Sequence, residues 1–137
     1  GSEFTFDMIT YDVPENDACV DTLPIESLPY QANGTTLGAL ADFDQYGCGA
    51  YADANGVWYD YTPTENRMLT ASVDSNHRFR VYTGGGCDEL ECLKNIAASN
   101  TFLVASNVRY WFLVTRWSNF QQGSEFTFDV IAYDVPE

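Results

Sequence analysis

The sequence predicts an all-β fold, an antiparallel jelly-roll-like β-sandwich of about eight strands. Three observations predict it. Short aromatic and β-branched runs recur along the 137 residues with glycine, proline and asparagine signals between them. No segment sustains a helical period. The two ends of the chain are near copies of one another, and each alternates as a half-buried strand does.

The opening copy runs from Gly1 to Glu15 and the closing copy from Gly123 to Glu137, differing only at Met8 against Val130 and Thr10 against Ala132. Phe4, Phe6 and Met8 share one face of the first, as Phe126, Phe128 and Val130 share one face of the second. Val-Pro-Glu ends each copy, because proline cannot donate to a ladder. The offset far exceeds solenoid periods and approaches one domain. The copies could be merely the first and last strands of one domain. Strands in different surroundings, however, have no reason to share their solvent-face residues as well. The expectation is therefore a unit of a tandem repeat array, with residues 1–14 the last strand of a preceding repeat plus its junction. Residues 15–137 are then the repeat unit, and the six residues Phe4, Phe6, Met8, Phe126, Phe128 and Val130 form inter-repeat strands.

Between these ends, Asn16-Asp17-Ala18-Cys19 is a polar turn anchored by its cysteine. Pro24, Pro29 and Asn33-Gly34 exclude a long helix over 21–36, where Leu23, Ile25 and Leu28 fit short extended segments. Thr36 to Leu40 reads as a short strand, and Asp42 to Gly49 as an acidic loop. Gly56-Val57-Trp58-Tyr59-Asp60-Tyr61-Thr62-Pro63 is a strong strand, with Met68 to Val73 its expected hairpin partner. His77 to Thr83 alternates again, with Arg78 and Arg80 expected to face water. Gly84-Gly85-Gly86 is a turn, and Cys87 to Lys94 a short excursion. Asn100 to Ala105 and Val108 to Trp117 complete the set before the closing strand.

Twenty acidic residues against six lysines and arginines leave a net charge of −14. That balance excludes a phosphate-tracking surface and hence nucleic-acid binding. No run is long enough for membrane insertion as a helix. Four cysteines in a small domain point to two disulfides, expected as Cys19–Cys48 and Cys87–Cys92, and so to an oxidising compartment. A zinc site at Cys87 and Cys92, with Cys19, Cys48 and His77 converging on it, is the weaker reading of the same spacing. Asn33-Gly34-Thr35 matches the N-glycosylation acceptor, which makes Asn33 a candidate glycan site on an extracellular or cell-surface protein.

Five fragments occur in an order and spacing that carry a family resemblance. They are Asn16-Asp17-Ala18-Cys19, Gly56 to Thr62, Phe79 to Gly84, Tyr110 to Val114 and Gly123 to Phe128. Over roughly residues 16–133 the chain resembles the bacterial pre-peptidase C-terminal domain and its secreted, often tandemly repeated relatives. The resemblance implies a jelly-roll-like sandwich outside the cell, and it brings no catalytic motif.

Enzyme chemistry finds little support in the residues. His77 is the one histidine, and neither a Gly-x-Ser-x-Gly elbow nor a His-Glu-x-x-His helix is present. The expected function is a non-catalytic extracellular structural repeat joined head to tail, covalently or by a donated strand, into a filament, stalk or adhesin. Its partners would be neighbouring copies of the same repeat. The alternative is a carbohydrate- or polymer-binding module appended to a secreted protein, with Trp58, Trp111 and Trp117 as stacking faces for glycans. No cofactor is required. Calcium is a candidate ligand, at Asp12, Glu15, Asp17, Asp42 and Asp44.

Overall fold

The most apolar run of the chain, Tyr110–Arg116, is a strand whose residues are buried from Tyr110 to Thr115. Such a strand must be covered on both faces. The computed structural model describes residues 12–39, 41–42, 54–116 and 124–133. Within them a 3-10 turn at Cys19–Asp21 precedes ten strands. These are β1 (Leu23–Pro24), β2 (Tyr30–Thr35), β3 (Ala41–Asp42), β4 (Ala54–Tyr61) and β5 (Arg67–Val73). β6 (His77–Gly84), β7 (Leu90–Ala97), β8 (Ser99–Val104), β9 (Tyr110–Arg116) and β10 (Glu125–Tyr133) follow.

Two sheets form the sandwich. One has the order β1-β4-β9-β6-β7, with β3 also paired to β4, and the other the order β2-β10-β5-β8. All pairings are antiparallel except β1 on β4. The fold is the all-β sandwich that the strand pattern predicts.

Alternation fills the space between the sheets. Val57, Tyr59 and Tyr61 of β4 and Phe112 and Val114 of β9 face Leu69 and Ala71 of β5 and Phe126, Phe128 and Val130 of β10 in one cluster. The Phe128 ring lies 5.0 Å from that of Tyr59, 5.6 Å from Phe112 and 5.9 Å from Phe79, so β10 is keyed into the opposite sheet. Gly34 of β2 permits this approach, since a Cβ there would stand 2.6 Å from both the Phe126 ring and the Tyr59 hydroxyl. The described part of the closing copy is thus an inner strand of the smaller sheet, flanked by β2 on one side and β5 on the other. Phe126, Phe128 and Val130 fill this core, while Phe4, Phe6 and Met8 lie outside the described residues.

Several local expectations are corrected. β4 and β5 do not form a hairpin; they belong to opposite sheets. The connection is tied instead to the β8–β9 loop, where Asn107 N–H donates to the Pro63 carbonyl at 2.8 Å and Ser106 N–H to Asn66 Oδ1 at 2.9 Å. Asn33-Gly34 is not a turn but the middle of β2. Thr36 to Ala39 is a turn, closed by Ala39 N–H on the Thr36 carbonyl, where a strand was expected. The excursion after Cys87 becomes β7. Gly84, at φ +149, admits no side chain there, because a Cβ would meet the Glu89 carbonyl at 2.1 Å.

The outward face of the larger sheet departs furthest from expectation. Trp58, Tyr82, Leu90, Trp111 and Leu113 form a second buried cluster there, with Cys19 and Cys92 packed on it. Arg80 shares that face and is 1% exposed rather than solvated. Among the described residues, no helix is long and apolar enough to cross a membrane.

Candidate functional site

Residues 16–25 are strapped along β4. Asn16 exchanges two hydrogen bonds with Trp58, its Nδ2 donating to the Trp58 carbonyl at 2.9 Å and Trp58 N–H to the Asn16 carbonyl at 2.8 Å. Ile25 N–H reaches the Asp60 carbonyl at 2.7 Å. Between these ties the chain makes its 3-10 turn, closed by Asp21 N–H on the Ala18 carbonyl. Cys19 of the turn is bonded to Cys87 of the β6–β7 loop, with the Cα atoms 5.9 Å apart. Val20 projects from the turn, 78% exposed.

Beside the turn, Asp60 joins three elements. One carboxylate oxygen accepts the Thr22 hydroxyl at 3.1 Å, and the other accepts Arg109 Nε at 3.0 Å. The Arg109 guanidinium also lies over the Trp111 ring, 4.6 Å from its centroid. Asp60 and Trp111 are direct partners across β4 and β9, and Arg109 lies two residues before Trp111. Period-2 alternation therefore puts all three on the outward face. The Arg109 side chain is 47% exposed and that of Asp60 only 10%. This is a charged donor held in place yet open to solvent. Cys19, Val20, Cys87, Asp88 and Arg109 line a shallow groove at this end.

The only histidine in the sequence is elsewhere and closed off. His77 has no exposure; its Nδ1 is 2.9 Å from the Ser75 carbonyl and its Nε2 2.8 Å from the Thr36 hydroxyl. A proton on Nδ1 satisfies both contacts, leaving Nε2 to accept from Thr36. Burial, with the Arg116 charge nearby, holds its pKa below the ordinary 6.5 against the opposing Ser75 and Asp74 contacts.

The cysteine pairing is corrected: Cys19 pairs with Cys87, not Cys48. Cys92 is also disulfide-bonded, so it does not pair with Cys87, and Cys48 lies outside the described residues. Oxidised sulfurs leave no thiolates for the zinc reading. A disulfide linking two surface loops belongs to an oxidising compartment. The glycan-stacking expectation is corrected as well, because Trp58 and Trp111 are 5% and 1% exposed and present no open ring. Trp117 lies outside the described residues. Asn33 is exposed on β2, with its Oδ1 accepting from the Thr127 hydroxyl at 3.0 Å.

Among the described residues no group of three or more His, Cys, Asp or Glu side chains is placed to hold a metal ion. Asp12, Glu15 and Asp17 are therefore not assembled into a calcium site. Asp44 and the side chain of Asp42 lie outside the described part. Asp60 and Arg109 were not singled out from the sequence. The signal was present, since Trp58-Tyr59-Asp60 and Arg109-Tyr110-Trp111 each place two outward residues around one core residue.

No family model and no curated protein matches the chain. Solved structures do. The chain is similar to a periplasmic lysozyme inhibitor of g-type lysozyme, PliG, from Aeromonas hydrophila. The two share 12% identity with a TM-score of 0.52, over 82% of this chain and 96% of that one. The Salmonella Typhimurium PliG overlaps at 9% identity and a TM-score of 0.49, over 82% of this chain and 98% of that one. The first likeness is one of fold, to a protein that acts on another protein.

These findings correct two expectations. The head-to-tail filament, stalk or adhesin, with copies of itself as partners, gives way to an architecture whose counterpart is an inhibitor. The carbohydrate- or polymer-binding alternative falls with it, since Trp58 and Trp111, two of the three indoles meant to stack on glycans, are buried.

Proposed function

We propose that this domain is a non-catalytic protein-binding module of an extracellular or periplasmic compartment, and that it inhibits a lysozyme-like hydrolase. Arg109 carries the reading. A guanidinium fixed by a carboxylate and an indole, yet half open to solvent, is already arranged for a partner and loses little freedom on binding. Arginines and neighbouring aromatics dominate protein interfaces. The net charge of −14 favours encounter with a basic protein. The sole histidine, with both ring nitrogens engaged in the interior, is not placed to move protons for a substrate. The likeness to the Aeromonas inhibitor adds an analogy at the level of fold.

The test is a cell-wall lysis assay. A g-type lysozyme is titrated with this chain, and loss of activity at equimolar inhibitor is expected. Arg109→Ala should weaken inhibition by about tenfold or more. Full lysozyme activity at large molar excess of the chain would refute the reading.

A further inference from the structure

We infer that a basic protein docks on the disulfide-clamped turn Cys19–Asp21, enclosing Val20 in an apolar socket while Arg109 meets an acceptor beside it. This rests on the protein-binding reading above and adds the surface and the chemistry of the partner.

Val20 is the most exposed large apolar side chain among the described residues. An isolated exposed valine needs no explanation. This one stands on a turn that cannot fold away. The Cys19–Cys87 bond holds one side, and the Thr22 hydroxyl on Asp60 holds the other. The Asn16–Trp58 pair fixes the segment leading into the turn. A presented apolar tip on a rigid support loses little entropy when it is enclosed.

The groove next to it has a volume of about 570 Å³. Its charge selects the occupant. Asp88 lines the groove, and Asp21 and Glu89, the sequence neighbours of the lining residues Val20 and Asp88, are exposed, while the positive charge of Arg109 is matched by Asp60. The mouth is therefore net negative and repels acidic surfaces, copies of this chain included. A cationic protein face with an apolar socket between its lysines or arginines fits both features.

A second apolar corner exists on the smaller sheet. Leu103, Met68 and Tyr133 are register neighbours across β8, β5 and β10. Arg67 and Glu65 beside it neutralise each other. Among the described residues that ion pair leaves the corner no surplus charge by which to choose a partner, so it serves as the competing surface in the test.

The experiment has two arms. In the first, the isotope-labelled chain is titrated by NMR with a peptide of alternating lysine and leucine. The largest shift changes are expected at Val20, Asp21, Asp88 and Arg109. In the second, a g-type lysozyme is bound to the wild type, Val20→Asp, Asp88→Lys and Leu103→Asp. Both groove variants should weaken whichever probe binds by about tenfold or more, with Leu103→Asp near wild type. Lysozyme binding that Leu103→Asp abolishes and Val20→Asp spares overturns the docking surface while the inhibitor reading stands. Peptide binding mapped to the turn, with no lysozyme binding, supports the surface and refutes the inhibitor reading. Peptide shifts spread over the whole acidic surface, or none, overturn the surface.

Discussion

Thr36 and His77 meet side chain to side chain, Oγ1 to Nε2, at 2.8 Å, and neither residue has any exposed surface. The same Thr36 hydroxyl accepts Ser124 N–H at 3.1 Å, and the Arg116 guanidinium donates to the Ser124 hydroxyl. The pair therefore joins the end of β2, the start of β6 and the entry to β10. Burial, with the Arg116 charge nearby, disfavours a charged imidazole at this contact.

Stability should consequently depend on pH near the histidine range. The folded pKa of His77 lies below the ordinary 6.5. Above 6.5 both states are neutral at this residue, and the stability is intact. As pH falls below 6.5 the unfolded chain takes up the proton and the folded chain does not, so stability declines until the folded pKa is passed. Urea unfolding across this window should give a falling midpoint in the wild type and a flatter profile in His77→Gln. Identical profiles would show that His77 is not the group responsible.

The outward cluster should matter to stability as much as the central core. Trp111 is 1% exposed and supports the Arg109 guanidinium. Its indole Nε1 finds no hydrogen-bond partner among the described residues, so packing is what holds it. Trp111→Ala should cost roughly 3–5 kcal/mol in urea unfolding, as for other buried tryptophans. A cost within the surface range, about 0.5 kcal/mol, would mean that this face is solvated after all.

The Cys19–Cys87 bond closes a separation of 68 residues. In the chain-entropy model a loop of that size stabilises by about 4 kcal/mol. The double variant Cys19→Ser, Cys87→Ser should lose a comparable amount, read as a lower melting temperature. It should also release the turn that presents Val20, seen as faster amide exchange at Val20 and Asp21. Unchanged exchange would show that Asn16 and Thr22 hold the turn without the disulfide.

Gly34→Ala should destabilise by about 1–3 kcal/mol through overpacking against Phe126 and Tyr59. The substitution leaves the Asn33-to-Thr35 acceptor pattern intact, so any loss is one of packing. A neutral effect in thermal unfolding would mean that the rings shift to admit the methyl group.

The sequence by itself determined that the chain is built of strands and, for several of them, which residues share a face. Alternation in Met68 to Val73 and in Phe126 to Val130 is a local property of extended chain, and it put the right residues inward. The apolar run Tyr110 to Val114 was legible as part of a strand, though its burial on both faces came from the fold. Composition determined the acidic charge, and the even number of cysteines pointed to disulfides. Tertiary structure alone decided which strands pair. Glu65 and Asn66 read as a hairpin turn, yet hydrogen bonds to Ser106 and Asn107 carry the chain across to the other sheet. It alone decided that Cys19 meets Cys87, because disulfide partners follow from where loops converge rather than from spacing. The candidate site shows the same division. Period 2 placed Trp58, Asp60 and Trp111 on one face, but whether that face meets water is decided by what packs on it, residues 16–25 along β4 and β7 among them. With Cys19 of that strap and with Leu90 and Cys92 of β7, Trp58 and Trp111 become buried supports, while Val20 and Arg109 stay at the surface.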